Sequence, residues 1–144
     1  EEENLKALAE KLGIEKEVIF TGKIPHVELP HYYAACNFYI TASITEMHSI
    51  SMLEAMASGL PVLYINDESN KSQIDDGVNG FIYSDANEMY DKIIYLRNLS
   101  KEDYEAFRER VRKSVSKSGA EGIADTLLGI YTKAIENYKG IKIS

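Results

Sequence analysis

Short runs of β-branched and aromatic residues alternate with stretches of helical spacing along this chain, and glycine or proline separates most of them. Leu5, Leu8, Ala9 and Leu12 recur at i, i+3, i+4 and i+7, which predicts a helix over about residues 2–12 ended by a left-handed Gly13. Val18, Ile19 and Phe20 read as a buried strand closed by Gly22 and Pro25. A short helix follows around Pro30 to Ala35, then a strand at Phe38 to Ile40. The next helix spans Ile50 to Ala57 and is stopped by Gly59 and Pro61, with a strand from Val62 to Ile65 beyond. Ser72 to Asp76 reads as about one helical turn, Asn79-Gly80 as a turn that tolerates positive φ, and Phe81 to Tyr83 as a fourth strand. The remainder reads as helical. Ser84 or Asp85 caps a helix to about Arg97, Ser100 with Asp103 forms a variant capping box for the next, and Ser118 precedes a last helix carrying Ile123, Leu127, Ile130, Tyr131 and Ala134. Parallel strands need crossover connections, so the alternation predicts a parallel α/β sheet with helices on both faces.

The 144 residues suit one domain and leave no room for a second complete one. With 44% hydrophobic and 27% charged residues, the composition is that of a folded chain. A net charge of −7 opposes a broad nucleic-acid surface, because phosphate binding needs clustered Lys and Arg. Cys36 is the single cysteine, which rules out an intrachain disulfide, a cysteine-based zinc site and a CxxC pair, and makes a reducing, cytoplasmic setting the default expectation. The apolar runs are far shorter than the ~20 residues that cross a bilayer, and none reads as a signal peptide.

The stretch from Glu46 to Pro61 carries the chemistry. It lies between two strands, where open α/β sheets hold ligands beyond the strands' carboxyl ends. Ile50, Met52, Leu53, Ala55, Met56 and Ala57 leave the helix almost no polar face, so burial on most sides is expected and an ionised Glu54 there needs partners. Helical side chains lean towards the N-terminus, which lets Glu54 reach back to the mouth of the site and accept hydrogen bonds from vicinal hydroxyls. The amides of about Ser49 to Met52 are first-turn donors suited to a diphosphate. Glu46, in the preceding loop, is placed to hold a second set of hydroxyls. Taken singly, Glu46 also reads as a favourable charge near a helix start and Glu54 as a snorkelling carboxylate. Together they suit a ligand with two hydroxyl-rich ends joined by phosphate. His26 and His31 read as surface or helix-start residues, and no His and carboxylate trio has metal-ligand spacing.

Glu46, seven residues, and then Glu54-Ala55-Met56-Ala57-Ser58-Gly59-Leu60-Pro61-Val62 resemble the signature of retaining GT-B glycosyltransferases. That large family includes sucrose and glycogen synthases and many bacterial lipid and polysaccharide glycosyltransferases. Phe20-Thr21-Gly22 before Ile24-Pro25, Leu29-Pro30 with Tyr33-Ala34-Ala35, and Ile74 through Phe81 agree in order and spacing, so the resemblance runs from residue 1 to about residue 137. It implies a Rossmann-like sheet forming the C-terminal half of a GT-B fold, with two further strands and the acceptor-binding half preceding Glu1. The Arg and Lys that neutralise the donor diphosphate would lie in that preceding segment.

Carried over by position, the resemblance implies that Glu54 holds the ribose hydroxyls and Glu46, as the catalytic residue, the hydroxyls of the donor sugar. Backbone amides of Met47, His48, Ser49 and Ile50 would contact sugar and diphosphate, and Gly22, Lys23 and Ile24 would cover the base. The donor would be a nucleotide diphosphate sugar, with a UDP-hexose foremost, transferred with retention and without a cofactor or an essential metal. The acceptor, sugar or lipid, would be held by the other half, which is also where peripheral contact with the inner face of a membrane would arise. The family has Gly-aromatic-Gly after its first Glu, whereas Met47-His48-Ser49 stands here, a change that bears on which sugar the pocket takes. Asn70-Lys71-Ser72-Gln73 to Gly80 loosely resembles glucosyltransferases acting on diacylglycerol lipids. The competing readings are half of a sugar-nucleotide epimerase and a non-catalytic nucleotide-binding module. By itself the chain is expected to transfer nothing.

Overall fold

The computed structural model describes residues 1–43, 49–66 and 73–116. Helix α1 (Glu2–Leu12) ends at Gly13, whose φ of 68° lets its N–H and that of Ile14 close back onto the last carbonyls of the helix. A 3₁₀ turn, His26–Glu28, leads into α2 (Leu29–Ala35), with Pro30 in the first turn where its missing N–H costs nothing. Strands β1 (Tyr39–Thr41), β2 (Val62–Ile65) and β3 (Gly80–Tyr83) pair in parallel in the order β1-β2-β3. Helix α3 (Ile50–Ala57) connects the first two strands, and α4 (Ala86–Arg97) and α5 (Lys101–Val115) follow the third. The fold is therefore the α/β arrangement with a parallel sheet that the alternation predicts.

Consecutive residues of a strand point to opposite faces, and Val62, Leu63 and Tyr64 are all buried, so helices or loops cover both faces of β2. Phe81 of β3 sits edge-on to Tyr95 of α4 and tilted against Phe107 of α5, which fixes these two helices on the sheet. Gly80 stands where a Cβ would come within 2.4 Å of the Val62 carbonyl oxygen, so only glycine lets β3 approach β2 at this point. Arg108 of α5 donates from Nε to the Gly59 carbonyl and from Nη2 to that of Ser58, both at 3.3 Å. It thereby satisfies acceptors left open at the C-terminal end of α3, with buried Met52, Met56, Phe107 and Val111 forming one apolar core between the helices and sheet.

Four local expectations are corrected. Residues 18–20 form no strand: the Val18 N–H closes a turn onto the Ile14 carbonyl, Ile19 is 83% exposed, and no described strand lies alongside to complete a ladder. Residues 73–76 form no helical turn, because Asn79, almost fully buried, takes over their polar groups; its Oδ1 accepts from the Asp75 N–H at 2.8 Å and its Nδ2 donates to the Gln73 carbonyl at 3.2 Å. Positive φ in this turn falls at Gly77 (77°) rather than at Asn79 or Gly80. Finally, α3 is buried along one side, at Met52, Ala55 and Met56, while Ile50 is 72% exposed. The helix expected after Ser118 lies outside the described residues.

Candidate functional site

The candidate site is built along α3, whose first turn begins beyond the carboxyl end of β1. Ser49 adopts extended backbone angles as N-cap, and its Oγ accepts from the Met52 N–H at 3.4 Å. That hydroxyl is buried and also meets Ser51 Oγ at 3.0 Å, which in turn meets the Tyr39 hydroxyl of β1 at 3.0 Å. A chain of hydroxyls thus ties Tyr39, the first residue of β1, to the start of α3. The first-turn N–H groups and the helix dipole make this terminus favourable for an anion.

Glu54 lies one turn further along. Its Oε1 is 2.6 Å from His26 Nε2, at the start of the 3₁₀ turn, and its Oε2 accepts from the Tyr33 hydroxyl of α2 at 3.3 Å. The same Tyr33 hydroxyl donates to the Ser51 carbonyl at 3.3 Å, so the carboxylate is drawn towards the preceding turn, as the lean of helical side chains requires. Burial raises the Tyr33 pKa to about 12, with the Glu54 charge and hydrogen bond adding to the rise; deprotonation would place two anions in contact. The Glu54 side chain keeps 27% of its surface and lines a cavity of about 220 Å³ with His26, Leu29, Pro30, Tyr33, Ala57 and Ser58. A larger cavity, about 520 Å³, is lined by Phe38, Ile93, Leu96, Tyr104 and neighbours, but Asn37 and Phe38 on its wall precede β1, which puts it at the amino ends of the strands, where parallel sheets do not hold ligands.

Of the residues singled out in the sequence, Ser49 caps α3, Ile50 opens it and faces out at 72% exposure, and Glu54 follows on its second turn. Gly22 has a φ of 60° and open space around it, Lys23 is exposed and Ile24 half-buried. Ile24 lies within about 7 Å along the chain of His26, which lines the Glu54 cavity. Glu46, Met47 and His48 lie outside the described residues. Sequence reasoning missed His26 and Tyr33 as partners of Glu54, because 28 and 21 residues separate them from it. Among the described residues, no group of three or more His, Cys, Asp or Glu is placed to hold a metal ion, and no helix is long and apolar enough to cross a membrane.

The three-stranded parallel sheet, with α3 starting beyond the carboxyl end of β1, defines an α/β chain of the class whose ligands are commonly held at that edge. The family model for "Glycosyl transferases group 1" matches residues 1–114, and the chain belongs to this family. It corresponds to the C-terminal domain of the GT-B fold. It is 39% identical over 80 residues to an alpha-monoglucosyldiacylglycerol synthase of Streptococcus pneumoniae, a match covering 56% of this chain and 18% of that protein. The chain therefore spans under a fifth of that relative's length. The C-terminal domain of a group 1 glycosyl transferase, LpcC, from Francisella tularensis superimposes with a TM-score of 0.68 at 27% identity, over 80% of this chain and 60% of that one. Sucrose-phosphate synthase from Thermosynechococcus elongatus shares the fold, with a TM-score of 0.75 at 24% identity over 94% of this chain and 34% of that one.

Proposed function

We propose that this chain is the donor-binding part of a retaining glycosyltransferase that moves a hexose from a nucleotide diphosphate sugar, foremost a UDP-sugar, to an acceptor held by a domain outside these 144 residues. The observation that supports the reading is the Glu54 carboxylate on the second turn of α3, which lines a cavity between α3 and α2 and is tied through the Tyr33 hydroxyl to the Ser51 carbonyl of the first turn. In this reading Glu54 accepts from the two ribose hydroxyls, and the diphosphate meets the N–H groups of the first turn around Ser49 and Ile50. Gly22, Lys23 and Ile24 flank the base. Glu46 holds the hydroxyls of the donor sugar, and Met47 and His48 bring their amides to the sugar and diphosphate.

Rate acceleration then rests on stabilising the negative charge that grows on the leaving diphosphate and on fixing the anomeric carbon against the acceptor, both of which preorganised dipoles supply. The resemblance of the pneumococcal relative, named for a glucosyl lipid, supports a hexose as the transferred group. Titration calorimetry with UDP-, GDP- and ADP-sugars tests the reading. One of the three should bind with a saturable heat that the free nucleoside diphosphate competes away, and the chain alone should release no sugar to an acceptor. Absence of binding by all three would overturn it.

A further inference from the structure

We infer that His26 and Tyr33 are positioning residues that orient the Glu54 carboxylate so that it reads a vicinal diol, and with it the difference between a ribonucleotide and a deoxyribonucleotide. The inference rests on the reading of Glu54 as the ribose partner. An ionised carboxylate accepts at about four lone-pair positions, two on each oxygen. In this structure each oxygen has one protein donor, His26 Nε2 on Oε1 at 2.6 Å and the Tyr33 hydroxyl on Oε2 at 3.3 Å. One position per oxygen is left, which is the pattern that two adjacent hydroxyls require and a single hydroxyl does not.

The two holders come from different elements and differ in mobility. Tyr33 is half-buried on α2 and divides its proton between Glu54 and the Ser51 carbonyl, each 3.3 Å away, a split that accounts for the length of both contacts. It therefore locks the carboxylate to the turn that begins α3. His26 has 78% of its side chain exposed, so it holds Oε1 from the open rim of the cavity without contributing to the core. With only one holder the carboxylate would rotate about its last torsion, which is broad for Glu, and the two free positions would no longer match a diol.

The test compares dissociation constants for a ribonucleoside diphosphate and its 2′-deoxy counterpart, using whichever of UDP, GDP or ADP binds most tightly. The wild-type protein should favour the ribonucleotide by about tenfold. His26→Ala and Tyr33→Phe should each reduce that preference to less than about threefold, while His26→Gln, which keeps a donor, should restore it. A role confined to folding would weaken both ligands alike and leave the ratio intact, and the exposed His26 can be replaced without touching the core. Wild-type preference retained in His26→Ala and Tyr33→Phe would overturn this inference alone. Wild-type preference retained in Glu54→Ala would instead overturn the ribose-binding reading beneath it.

Discussion

Tyr33 donates its phenolic proton to the Glu54 carboxylate, and their coupling has a consequence at high pH. The pKa of Tyr33 is raised from its ordinary 10 to about 12 by burial first, then by the charge and hydrogen bond of Glu54. A group whose folded-state pKa is raised contributes stability that is complete below pH 10 and lost as pH climbs through about 12. Burial pushes the phenols of Tyr83 and Tyr104 in the same direction. Urea midpoints measured from pH 8 to 12 should hold level to about pH 10 and then fall, and Tyr33→Phe should make the fall shallower. A midpoint that rises above pH 10 would contradict this coupling. Ser49 matters at the same scale. It stands at the last of three positions where the family has Gly-aromatic-Gly, and it is the N-cap of α3, so Ser49→Gly should cost only a few tenths of a kcal/mol in stability while opening the backbone near the start of α3.

The elements show which signals survive from sequence to structure. Helices α1 and α3 and strand β2 fall where residue spacing and the stops at Gly13, Gly59 and Pro61 put them, because both are local properties, although of the α1 stripe only Ala9 is buried and Leu5, Leu8 and Leu12 stay exposed. Asp85 caps α4, accepting from the Asn87 and Glu88 N–H groups, and Ser100 caps α5 through the Asp103 N–H, both as expected of those residue types. Replacing Asp85 or Ser100 by Ala should lower stability by about 1 kcal/mol each in chemical denaturation. Val18 to Phe20 failed as a strand because a strand exists only with a neighbour, and no local pattern records whether one lies alongside. The turn at residues 73–79 was hidden for a related reason: one Asn79 side chain organises backbone groups four and six residues earlier. Gly80 is legible only in three dimensions. Gly80→Ala should cost about 1–3 kcal/mol, since its new methyl meets the Val62 carbonyl in the ladder rather than a side chain that can move. Gly59→Ala crowds the Arg112 guanidinium, which can swing away, so its cost comes mainly from the φ of 82°.

At the scale of the molecule, a three-stranded parallel sheet presents its carboxyl edge to α3, and every group proposed to meet the donor that the structure describes lies on α3 or on the loop leading to α2. The candidate site was legible in part because Glu54 is the one charged residue of a largely apolar helix; its holders were not, because only the fold brings α2 and the 3₁₀ turn against α3. The same architecture explains why the larger cavity, at the opposite ends of the strands, is not the place to look for the donor. Donor binding as proposed depends most directly on the carboxylate of Glu54 gripping the nucleotide, and calorimetric titration of the wild-type protein and Glu54→Ala with UDP, GDP and ADP measures that grip. The variant should unfold at the wild-type temperature within about 2 °C and bind the preferred nucleotide more weakly by about 1.5–3 kcal/mol, the loss of charge-assisted hydrogen bonds. An unchanged dissociation constant in a folded Glu54→Ala protein would contradict it.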